Sequence, residues 1–134
     1  MKKILFIITL LLAINMQSQT VTDIYKQYIK PTSNANELRE GLKRLESSCG
    51  AIPQDKCNKA KATALYLLSD RYYQAAYTTY LVDQELAKPI LIQAESIYKQ
   101  AYSVMALEDF PDYNVQVMTE AKDMLELHLE NNLN

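Results

Sequence analysis

The segment Gln54–Lys88, QDKCNKAKATALYLLSDRYYQAAYTTYLVDQELAK, decides how this chain folds. It contains neither Gly nor Pro. At about 100° per residue its apolar side chains keep one phase, so that Leu65, Leu68, Tyr72, Ala75, Ala76, Thr79, Val82 and Leu86 fall within an arc of roughly 120°. Tyr66, Tyr73, Tyr77 and Tyr80 gather within about 60° on a different side, which leaves Asp70, Arg71, Gln74, Thr78, Glu85 and Lys88 for water. Two non-polar faces mean a helix packed from two sides. The segment therefore predicts the long central helix, over 54–88, of a small all-α protein.

Before this segment, Leu38, Leu42, Leu45 and Cys49 recur at i, i+4, i+7 and i+11, and Asn34 with Glu37 has the spacing of a capping box. A helix ending near Ser48 follows from the two signals. Gly50 stands where the end of that helix would take a left-handed residue, and Pro53 where the central helix would take a first-turn proline. Cys49 then closes one helix and Cys57 opens the next. A disulfide between them would staple the corner of a helical hairpin and remove about 2.5 kcal/mol of unfolded-chain entropy. Further back, residues 21–30 read as a short helix with Thr22 as cap and Pro31 as its end.

After the segment, Pro89 disfavours helical geometry at Lys88 and is expected to end the central helix there. It either begins a reversed helix or kinks one that continues. A single helix from Gln54 to Leu107 would extend about 80 Å at 1.5 Å per residue and leave both faces short of partners, so reversal is expected. Leu91, Ala94, Ile97, Tyr98, Ala101, Tyr102, Val104 and Met105 give the next helix a broad apolar side, and a last helix over about 112–131 would bury Val115, Met118, Ala121, Leu125 and Leu129. The expected fold is an antiparallel helical bundle or a stack of helical hairpins, with four main helices and a short N-terminal one.

The N-terminus bears on compartment. Met1-Lys2-Lys3 is followed by an apolar run from Ile4 to Ile14 and a polar exit, Asn15 to Ser18. This is the layout of a secretory signal peptide, and the run falls short of the roughly 20 apolar residues that span a membrane. It predicts a cleaved signal over 1–18 and one domain over 19–134, exported to a bacterial periplasm or the medium, with no stable membrane span. Export in turn favours a disulfide for two cysteines this close. A formal net charge of −2 argues against nucleic acid as partner, since that would call for a basic stripe. The C-terminal stretch 105–134 sets Glu108, Asp109, Asp112, Glu120, Asp123, Glu126 and Glu130 against Lys122 alone, the pattern of a solvated helix face.

Chemistry-bearing residues are few. His128 is the sole histidine and suits the boundary of the last helix, two glycines make no phosphate loop, and Asp109, Asp112 and Asn114 lack EF-hand spacing. No cofactor and no metal are expected. Asp83 is the unusual acid, because it lies near the apolar stripe beside Ala76, Tyr80 and Ala87, where a charge needs a partner. It is a candidate polar site, and a carboxylate enzyme using it is the least favoured function. The chain has ten Tyr against two Phe and no Trp. Tyr66, Tyr73, Tyr77 and Tyr80, with Tyr98 and Tyr102 facing them, form either a packed layer or a recognition surface.

Tyr73, Ala76 and Tyr80 place an aromatic, a small residue and an aromatic at spacings that resemble the second-helix signature of a tetratricopeptide repeat. Ala64 and Leu67 then match the small and large packing positions of its first helix. The resemblance covers one partial repeat and sets the family's turn at Ser69-Asp70-Arg71. It implies a helical-hairpin scaffold that binds peptides or proteins on a concave side. The expected function is a non-catalytic module for an unidentified protein or peptide partner, bound through the tyrosine face or the acidic last helix. The alternative is a carrier holding a small apolar ligand in the bundle interior between the Tyr66–Tyr80 face and the fourth helix.

Overall fold

The computed structural model describes residues 20–51 and 54–109, with Asp123. The expected signal segment over 1–18, Pro53, Asp112, Asn114, His128 and, apart from Asp123, the expected last helix lie outside the described residues. Within them the chain is helical, with no strand: α1 (Val21–Tyr28), α2 (Ala35–Ser48), a 3-10 turn over Cys49–Ala51, α3 (Gln54–Tyr80), α4 (Gln84–Val104) and a 3-10 turn over Leu107–Asp109. The all-α bundle expected from the periodicity is the observed architecture.

Local chemistry sets the helix ends. The capping box forms as spaced, with the Glu37 amide donating to Asn34 Oδ1 at 2.8 Å and the Asn34 amide to Glu37 Oε1 at 3.3 Å. At α1 the cap is Thr20 and not Thr22, with the Asp23 amide donating to Thr20 Oγ1 at 3.2 Å. Gly50 is not left-handed: Cys49 keeps helical angles and the chain tightens into a 3-10 turn, which gives the last carbonyls of α2 another way to be satisfied. The Cys49–Cys57 disulfide is present at this corner, with its Cα atoms 5.9 Å apart.

The central helix is shorter than expected. It ends at Tyr80, and the reversal falls at Leu81-Val82-Asp83, six residues before Pro89. Asp83 outcompetes the proline as a boundary because its carboxylate accepts from the Glu85 and Leu86 amides, at 3.0 and 3.3 Å, and so caps α4. Pro89 sits inside α4 on its exposed side. There the carbonyl it leaves without a donor faces water, which lowers the cost of an internal proline.

Helix α3 is packed from two sides, as its two non-polar faces required. From Ala62 to Asp70 every residue but the half-buried Leu65 is buried. One side, Ala60, Ala64, Leu67 and Leu68, meets Val21, Ile24 and Ile29 of the α1 segment and Leu38 and Leu45 of α2. The other side meets α4. The phase is rotated from the predicted stripe, with Leu67 buried while Ala75, Val82 and Leu86 are exposed. On α4, Ala87, Ala94 and Ala101 recur every seven residues and are all buried, so small side chains let the two helices approach closely. Gly41 does the same between α1 and α2, where an added Cβ would lie 2.9 Å from Tyr28 Cβ.

Candidate functional site

The tyrosine face is largely a packed layer. Tyr66 and Tyr73 are buried between α3 and α4, and Tyr77, Tyr80 and Tyr98 are half-buried. The Tyr66 and Tyr98 rings meet edge to face with centroids 5.5 Å apart, and Tyr66 donates to the Met105 carbonyl at 2.7 Å. Burial, followed by the charge of Tyr98 and Glu108, pushes the Tyr66 phenol well above the usual tyrosine range. Tyr73 packs with Ala76 and Ala94. Of the two alternatives, packed layer or recognition surface, burial places Tyr66 and Tyr73 in the packed layer, because the reversal at Leu81–Asp83 folds α4 back over them. Tyr102 is the outward member of the set, and the nearby charge of Glu108 raises its pKa.

Asp83, the candidate polar site, is an exposed helix cap whose carboxylate is occupied by backbone amides. The acid that folding does bury is one read from sequence as solvent-facing. Asp70 is 6% exposed, and it accepts from Arg71 Nη1 at 2.6 Å and Gln74 Nε2 at 2.9 Å. Arg71 uses its other donors on the α1–α2 turn, with Nε on the Ser33 carbonyl at 3.0 Å and Nη2 on the Pro31 carbonyl. Buried Ser33 tightens the same turn by donating to the Tyr28 carbonyl at 2.7 Å and accepting from the Lys30 amide at 3.0 Å. Desolvation raises the Asp70 pKa above the usual aspartate range, against the lowering influence of Arg71. The cluster is a clamp from α3 onto the α1–α2 turn. Its sequence signal was the pair of opposite charges at Asp70 and Arg71 near the end of Ala62–Tyr73, a stretch whose other polar residues are Thr63 and Ser69.

Among the described residues, the turn of the α3–α4 hairpin is one place where apolar side chains lie uncovered. Leu81, Val82 and Leu86 are 66%, 88% and 61% exposed. Aliphatic side chains this exposed within six residues of sequence make the turn a candidate interaction surface. The frame behind them is defined: Asp83 fixes the start of α4, and the backbone closes the turn with Leu81 N donating to the Tyr77 carbonyl at 3.2 Å and Asp83 N to the Thr79 carbonyl at 2.7 Å. A second surface runs along the outer side of α4, an open groove of about 470 Å³ lined by Ile92, Glu95, Ser96, Lys99, Gln100 and Ser103. Among the described residues, no three acids, histidines or cysteines converge as a metal site. No described helix is long and apolar enough to cross a membrane.

Fold and site together define a class, a small all-α protein of disulfide-stapled antiparallel helices with an aliphatic patch at one hairpin turn. Protein families, curated proteins and solved structures offer no match to the chain. Ser69-Asp70-Arg71, where the tetratricopeptide resemblance sets a turn, lie within the unbroken α3.

Proposed function

We propose that this protein is an exported, non-catalytic interaction module that docks a protein or peptide partner on the turn of its α3–α4 hairpin. The observation that carries this is the exposure of Leu81 and Val82 on the turn and of Leu86 in the first turn of α4, where the backbone is capped and hydrogen-bonded. Apolar side chains left this exposed gain by being covered, at about 25 cal/mol per Å² of apolar surface removed from water. Export is supported by the signal layout of residues 1–18 and by the disulfide, a bond that persists in oxidising compartments.

The test compares wild type with Leu81→Ser/Val82→Ser/Leu86→Ser as baits in extracts of the source organism's envelope and medium. The expected outcome is a partner held by wild type and lost by the triple variant, with melting temperatures within about 3 °C, because exposed substitutions change stability little. Retention of that partner by the variant, or a large fall in its melting temperature, refutes docking at the turn. The intact mass of secreted protein, before and after reduction and alkylation, tests export and the disulfide. Retention of Met1, or free thiols before reduction, refutes them.

A further inference from the structure

We draw no further inference here: the strongest candidate, the uncovered aliphatic patch at the α3–α4 turn, belongs to the site already described, and nothing in the structure shows what covers it.

Discussion

Replacing Arg71 with Ala removes three hydrogen bonds, two of which tie α3 to the Pro31–Ser33 turn, and takes away the cation beside Asp70. The larger loss comes from what stays behind. Asp70, 6% exposed in the wild type, keeps the Gln74 side-chain amide as a donor but loses its cation, and removing one member of a buried ion pair costs about 3–5 kcal/mol. The Arg71 side chain is 22% exposed, so water moderates this, and about 3 kcal/mol is expected. For a domain a little over 100 residues long that corresponds to a fall of roughly 10 °C in melting temperature. The assay is urea unfolding followed by helical circular dichroism at pH 7, on wild type, Arg71→Ala, Asp70→Asn and the double variant. Asp70→Asn removes the charge but keeps a hydrogen-bonding side chain, so in its background Arg71→Ala should cost only about 1 kcal/mol, the value of the lost hydrogen bonds. The coupling of about 2 kcal/mol belongs to the ion pair.

The pH dependence has a definite sign. The folded pKa of Asp70 is raised, so its contribution to stability is fully present below the unfolded value of about 3.9 and is lost as pH rises through the folded one. Arg71 lowers that folded pKa, so removing it raises the pKa further and extends the sensitive range upward. The penalty of Arg71→Ala should then shrink on acidification. An Arg71→Ala cost below about 0.5 kcal/mol, or the same cost in the Asp70→Asn background, refutes the clamp.

Other substitutions probe the frame around it. Gly41→Ala should destabilise by about 1–3 kcal/mol, since its Cβ would press on Tyr28 Cβ at 2.9 Å and Ile29 Cγ1 at 3.2 Å, whereas Gly50→Ala meets nothing within 4 Å and should be neutral or stabilising by up to about 1 kcal/mol. Chemical unfolding of the two variants side by side checks the contrast. Asp83→Ala should cost about 1 kcal/mol in the same measurement, the usual loss for a helix cap, and Asp83→Ser should recover most of it, an outcome that a reactive carboxylate would not give. Reduction of Cys49–Cys57 should lower stability by about 2.5 kcal/mol, read as a shift of the urea midpoint with and without reductant.

The fold was legible where its signals were local. Asn34 and Glu37 satisfy each other's amides across three residues, and Cys49 lies on the same stripe as Leu38 and Leu45, so the start of α2 and the corner after it follow from spacing alone. Pro89 misled because a proline's cost depends on whether the carbonyl it orphans is in water, which the sequence does not state; Asp83 followed by Glu85 was the better helix-start signal. The tyrosine face illustrates a different limit. Periodicity showed that α3 has a second apolar side but not which helix would cover it. Asp70 was hidden for the opposite reason: its polarity placed it in solvent, while the carbonyls that its neighbour Arg71 binds lie about 40 residues earlier in the chain. The exposed turn could not be read until the helix boundary moved, since Val82 and Leu86 keep the phase of a helix that has already ended.

The two-sided packing of α3 also grades it along its length. Its middle is enclosed by α1, α2 and α4, whereas Tyr73 to Tyr80 pack chiefly against Ile90, Leu91, Ala94 and Tyr98 of α4. Amide hydrogen exchange should therefore be slowest between Ala62 and Asp70, where opening requires global unfolding, and progressively faster toward Leu81. The end of the hairpin that carries the aliphatic patch is thus the part that can loosen while the rest stays folded. A partner could reshape those last turns for less free energy than it takes to unfold the molecule.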